Sequence, residues 1–435
     1  MQDLAGPIES LGRGVAVALG RANGDLRTLP EIAESALEDF SALDGVDLAT
    51  LVDFLEQTNL RQQAKNPFSD LPLTVWHSRD FYIELLVWSH ATTAIHQHGF
   101  GGAFRVVRGS SIHTRYSFQP EQRVTDDCLV GEVASQFSEC LATGAVRRID
   151  PGVDGLIHSL YHLENPSVSL IVRDRGHAAF GPQYSYYPPR LALHRRALEA
   201  DDLVAMFMRL VNLASQLDRA FFLELWIDRI AQFEFPRMAW LYMRFHGQLN
   251  ETERKNFRRS AEAVHGGLVH HLFESAEEFE NQHLLARMRE RVHDSELRFF
   301  LALLMNVPER TDLLRMVRER FPERDASECC ADWLARLSVD QQSAVDRMTE
   351  VAQMIEISGR GSMQFSRRLR KALPRAVEFE QARAVFKSYI EGEARDSDSS
   401  GGSPCSAELA VALRQLSELP QLAVFNQSRA HTEME

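Results

Sequence analysis

The chain is predicted to be of the α+β class, with N-terminal helices, a β-barrel or sandwich in the middle and an all-α region after it. Three observations predict this. Over residues 1–66 apolar side chains recur at helical spacing, as in LPEIAESALEDFSAL and DLATLVDFLEQTNL. From about residue 68 to 195 that pattern gives way to short runs of β-branched and aromatic residues, broken by Gly, Pro, Asn and Asp. After about residue 197 the period returns to that of a helix, as in DDLVAMFMRLVNLASQLDRAFFLELWIDRIAQF, and stays so to about 392.

Taken in order, Pro30 and Asp47 are helix-start signals, so residues 1–67 read as helices packed on the barrel. The barrel, 68–196, contains LPLTVWH, DFYIELLVW (80–88), FRVV, then the turn DPGVDG, the run SVSLIV and finally QYSYYPPRLALH. Prolines near 236, 308, 322 and 374 divide the helical region, 197–392, into several helices. Residues 393–435 read as a polar linker within EGEARDSDSSGGSPCS, followed by a short helix, SAELAVALRQLSEL.

Composition excludes several classes of function. With 435 residues and a formal charge of −13, the chain lacks the concentrated Lys and Arg that nucleic acid needs. Its 5 cysteines, at 128, 140, 329, 330 and 405, contain no Cys-x-x-Cys, which argues against a zinc ribbon and for a reducing compartment. No run is long enough to span a bilayer, and MQDLAGPIESLGRG is not a signal peptide. A cytoplasmic location, with no membrane partner, is the expectation.

The chemistry concentrates in IHQHGFGGAFRVVRG (95–109) and GLIHSLYHLENPSVSLIV (155–172). Side chains two apart on a strand share a face, so His96 and His98 point the same way. A third imidazole must come from a distant strand, and His158 supplies it. Such a set suits iron, zinc, copper or nickel and leaves positions open for substrate or dioxygen. Three residues separate His98 from Gly102 and six more lead to Gly109, while Gly155 stands three before His158.

This spacing resembles both motifs of the cupins, which implies a double-stranded β-helix, or jelly-roll, barrel. In the first motif Gly102 stands where a Glu ligand is common; in the second His162 stands where an Asn is. Without the carboxylate the site resembles that of the cysteine dioxygenase-like (thiol dioxygenase) branch, over about residues 70–190. The resemblance implies Fe(II) held by His96, His98 and His158, a thiol-bearing small acid and O2 as substrates, and a sulfinate as product. Other divalent metals stay open. Departures from that branch bear on the substrate. Gly102 has no thiol to cross-link, Arg173 occupies the place of the branch's Tyr, only Ser169 survives of its Ser-x-His-x-Tyr row, and LPLTVWH lacks a carboxylate-binding Arg. Two rival readings are a non-enzymatic metal- or ligand-binding cupin and a cupin isomerase or hydrolase.

Parity extends the site. If Gly102 faces the metal and leaves its fourth position open, Phe104 and Val106 line the barrel, and Arg105 and Arg108 face away. Arg173 shares a face with Ser169 and Ile171, so it either enters the cavity to bind an anionic group or ends its strand in solvent. His162 lies roughly 13 Å along the strand from His158, too far for a shared metal unless the strand bends. It reads as a donor to a ligand or a rim residue, as do Tyr161 and His113; His77 and His90 read as polar strand ends. In the helical half Glu262-x-x-His265 and Glu280-x-x-His283 match the pattern of di-iron carboxylate bundles, a match that also arises by chance. Its basic stretch RRLRKALPRA (367–376) reads as a solvated face, and the half as a whole as a surface for a protein partner or self-association.

Overall fold

The computed structural model describes residues 4–57, 63, 69–89, 94–152, 155–176, 181–339, 379–391 and 415–426. Residues 367–376, 392–406, His90 and Cys405 lie outside them. Contacts group residues 1–136 and 140–276 into one compact unit, and 137–139 with 277–435 into a second.

The first unit opens with α1 (Ala5–Arg21), α2 (Leu29–Glu38) and α3 (Leu48–Gln57). Both start signals act as expected. Pro30 sits in the first turn of α2, and the Asp47 carboxylate accepts from the Thr50 amide at 2.7 Å ahead of α3. The apolar stripe Val15, Leu19, Leu29, Ala33 and Leu37 merges with strand residues into one core.

Among the described residues eleven strands follow. They are β1 (Leu71–His77), β2 (Phe81–Trp88), β3 (Ile95–His96), β4 (Gly102–Arg108), β5 (Ser111–Thr125), β6 (Cys128–Leu141), β7 (Val146–Ile149), β8 (Ile157–His162), β9 (Ser167–Asp174), β10 (Ser185–Tyr187) and β11 (Leu191–Leu193). One sheet has the order β1-β2-β9-β4-β7; the other six strands close on themselves in the order β10-β11-β6-β5-β8-β3. The first sheet is covered on both faces, and FYIELLVW is buried at every position, Glu84 included. Phe81, Ile83, Leu85 and Val87 join the core shared with the helices. Leu86 and Trp88 face the other way and pack with Phe104, Val106 and Ile171 inside the barrel. N-terminal helices, a β-barrel and a following helical region are thus the architecture, as expected.

Arg105 does face away from the barrel interior, but into protein and not into water. Its guanidinium is held by Asp44 (Nε to Oδ1 2.9 Å) and donates to the carbonyls of Leu37 (3.1 Å) and Gly144 (3.0 Å), tying β4 to the α2–α3 connection.

Past the strands the unit continues through α4 (Arg195–Ala200), α5 (Asp202–Leu217), α6 (Arg219–Glu224), α7 (Phe235–Phe245) and α8 (Glu251–His265). Asp201 caps α5 and a reciprocal Asn250/Glu253 box opens α8. Tyr242 stacks on Phe257 and meets Trp226 edge-on, so the aromatics of this stretch form core. The helix α9 (Leu268–Arg291) carries the chain into the second unit, where α10 (Ser295–Asn306), α11 (Arg310–Arg320), α12 (Ala326–Val339) and α13 (Phe379–Glu391) follow. Phe300 packs on Trp333 there, and Glu328 of α12 pairs with Arg383 of α13. Among the described residues no helix is long and apolar enough to cross a membrane.

Candidate metal centre

His96 ends β3, His98 follows two residues on, and β3 pairs with β8 so that His96 and His158 are register partners. That pairing brings in the imidazole that is distant in the sequence. All three side chains are buried, with ring centres 4.6, 4.9 and 5.0 Å apart. Each offers one nitrogen within 4.8 Å of the other two, and His98 Nε2 lies 2.9 Å from His158 Nε2. Nitrogens bound to one ion at ordinary metal–nitrogen lengths stand about 3 Å apart, so these residues fit a single metal. Among the described residues this is the one His, Cys, Asp and Glu group of that kind.

Burial holds the three rings neutral. Desolvation pushes His96 down to about 4 and His98 and His158 well below the ordinary histidine value, with His96 lowering the other two further. Neutral imidazoles have a lone pair to give, which is what a ligand needs. Two rings are aimed by hydrogen bonds: His96 Nδ1 donates to the Ala94 carbonyl at 2.7 Å, and His158 Nδ1 lies 2.9 Å from His113 Nε2. His98 Nδ1 is buried with no hydrogen-bond partner, and its ring rests instead against Phe100 at 4.6 Å.

Arg173 does not end its strand in solvent. β9 is paired along both edges by β2 and β4 and is buried at every position to its end, so Arg173 is only 5 % exposed. Its guanidinium carbon sits 3.5 Å from the centre of Phe100 and 5.4 Å from that of Tyr82. Burial lowers its pKa, offset by Tyr82, Glu84 and Asp174, and its Nε has no hydrogen-bond partner. A guanidinium stays charged in such surroundings. A cation therefore lies one aromatic ring away from His98.

The other candidates lie elsewhere. No bend brings His162 to the cluster: its Nδ1 meets Ser111 Oγ (2.9 Å) and Ser167 Oγ (3.1 Å), and its ring stacks on Trp88 at 4.7 Å. Burial holds it neutral as well, at about 4. Tyr161 shares the parity of Ile157, which packs with Tyr116 and Tyr186 on the strand face opposite His158. Gly102 is not an opening left for a ligand. A Cβ there would stand 2.1 Å from the Val172 carbonyl oxygen, so glycine is what lets β4 pair so closely with β9. His113, which reads from the sequence as a donor to a ligand or a rim residue, stands beside His158. The pairing of β5 with β8 decides between those two readings. Glu262 is engaged by Arg258 (2.7 Å), His265 packs on Phe235 and His283 on Phe279, and the two Glu-x-x-His pairs form no metal group among the described residues.

No known family matches the chain, and no curated protein matches its sequence. Among solved structures it is similar to hydroquinone 1,2-dioxygenase from Sphingomonas sp. TTNP3 with 4-hydroxybenzoate bound, at 14% identity over 26% of this chain and 70% of that one, with a TM-score of 0.21. It is also similar to an oxalate oxidase, at 11% identity over 41% of this chain and 85% of that one, with a TM-score of 0.20. Overlaps of this size carry no argument about fold or chemistry, which rest on the chain's own geometry.

Proposed function

We propose that this chain is a mononuclear non-haem metal oxygenase of the cupin type, acting on a small acid with O2. The observation that carries the reading is the convergence of three buried, neutral imidazoles beside a buried arginine. Fe(II) is the metal favoured by the resemblance to thiol dioxygenases, and a thiol-bearing acid is the substrate it favours. When bound, the metal supplies Lewis acidity and a meeting point for substrate and dioxygen.

In this reading the protein's part is positioning. His96, His98 and His158 would hold the ion. With no side chain at Gly102 the ligand set is three nitrogens without a carboxylate. Arg173 binds the acidic group of the substrate, and Phe100 and Phe104 keep water from the reacting atoms. His162 and Tyr161 have no part in the chemistry. The cytoplasm, where dioxygen and small acids are at hand and thiols stay reduced, is the setting that fits.

Oxygen uptake by the iron-loaded full chain, measured across a panel of thiols and other small carboxylic acids, is the test. Uptake that requires both iron and one class of acid is expected, and it disappears in His96→Ala/His98→Ala together with the bound metal. Full metal content in that double variant would remove the site, and metal binding without uptake on any acid would favour a non-enzymatic barrel.

A further inference from the structure

We propose that His113 is the positioning residue of His158: by accepting a hydrogen bond from His158 Nδ1 it fixes the ring and tautomer that present Nε2 to the metal. The inference rests on the three-histidine reading above. His113 Nε2 lies 2.9 Å from His158 Nδ1, and the two rings meet edge-on, 5.1 Å apart at 85°. His113 is fully buried on β5, opposite Leu160 of β8 and therefore on the same face as His158 two residues away. Phe104 packs against both rings, at 6.4 Å from His113 and 6.3 Å from His158, so neither turns without the other.

Counting protons gives the direction of the bond. A neutral imidazole carries one proton and one lone pair. If His113 donated to His158 Nδ1, the single proton of His158 would sit on Nε2, and that atom would have no lone pair for a metal. Metal binding therefore requires His158 Nδ1–H to donate to His113 Nε2, which leaves the proton of His113 on its own Nδ1. The contact between His98 Nε2 and His158 Nε2 at 2.9 Å agrees with this assignment. With His158 Nδ1 protonated, His158 Nε2 is the acceptor there, and the proton that must move before a metal binds belongs to His98. His96 has its counterpart in the Ala94 carbonyl; His158 has a side chain in that role, so it is open to mutation.

Cobalt(II) affinity of the full chain, followed by its visible absorption and by chelator competition, tests the proposal with no need of turnover. His113→Phe keeps a ring but accepts nothing, and should weaken cobalt binding about ten- to a hundredfold, the usual effect of losing a ligand's outer partner. His113→Gln restores an acceptor and should recover most of that loss. Affinity unchanged in His113→Phe overturns the proposal, as does His113→Gln as weak as Phe when both melt like the parent protein. Should His113→Phe fail to fold, ¹⁵N-histidine NMR of the zinc-loaded parent decides: His113 protonated on Nδ1 supports the assignment, and on Nε2 overturns it. If the parent protein and His96→Ala bind cobalt equally, it is the three-histidine reading that falls.

Discussion

The guanidinium of Arg173 lies 3.5 Å above the centre of Phe100, and the same ring rests against His98, at 4.6 Å. Arg173 thus faces the candidate metal centre through a single aromatic side chain, with its Nε buried and unbonded. Such an arrangement serves a ligand better than it serves the fold, because a buried charge without a full set of partners is destabilising.

Arg173→Met is therefore expected to keep its metal and to melt close to the parent temperature, because it removes a buried charge whose Nε is unbonded. Oxygen uptake on acidic substrates falls at the same time, chiefly through KM. A loss of several kcal/mol in denaturant unfolding would show that the guanidinium belongs to the fold.

Gly102→Ala and Gly102→Glu should both destabilise, by roughly 1–3 kcal/mol or more, since β9 must move to make room for a Cβ 2.1 Å from the Val172 carbonyl. Neither creates a fourth metal ligand. A Gly102→Glu protein of parental stability that binds metal more tightly would contradict the close approach of the two strands.

His162 predicts a pH effect. Its folded value, about 4, lies below the ordinary 6.5, so the unfolded chain binds more protons between those limits. Stability is then fully present above about pH 6.5 and falls as the pH drops towards 4, this one residue contributing up to roughly 3 kcal/mol. His96, His98 and His158 add to the slope with the same sign. Urea unfolding at pH 7 and pH 5 measures it. His162→Leu should reduce the difference between the two pH values; an unaltered difference would mean that His162 is not held neutral.

Asp44 and Arg105 anchor the N-terminal helices to β4. Asp44→Ala leaves the Arg105 guanidinium, whose side chain is 7% exposed, with two carbonyls only, and should cost about 2–4 kcal/mol. Adding Arg105→Met should recover part of that loss, since no buried charge then remains. A double-mutant cycle with no coupling would refute the pairing.

Residues 1–276 expressed alone should melt cooperatively and bind metal, since contacts group the barrel with the helices through α8 and the start of α9. Residues 1–196 should be less soluble, because they leave uncovered the surface that those helices bury. A fragment 1–276 that neither melts cooperatively nor binds metal would place part of the site's support beyond residue 276.

Much of this was legible in the chain. The change from helical period to short β runs located the barrel. The His-x-His parity and the motif spacing pick out all three of the histidines that cluster. These inferences succeed because they are local: a strand alternates its side chains whatever it packs against.

What lay beyond the sequence depends on which strands become neighbours. The pairing of β3 with β8 sets His158 against His96, that of β5 with β8 supplies His113, and the place of β9 in mid-sheet buries an arginine that otherwise reads as a solvated strand end. The same neighbourhood makes Gly102 a matter of backbone clearance and leaves Tyr161 on the wrong face. Strand order and register come from the joint burial of every apolar face against helices and sheets far apart in the chain, so no single stretch of residues contains them. By itself the sequence determined the class of the fold and the three histidines that cluster; only the tertiary structure decided what surrounds them.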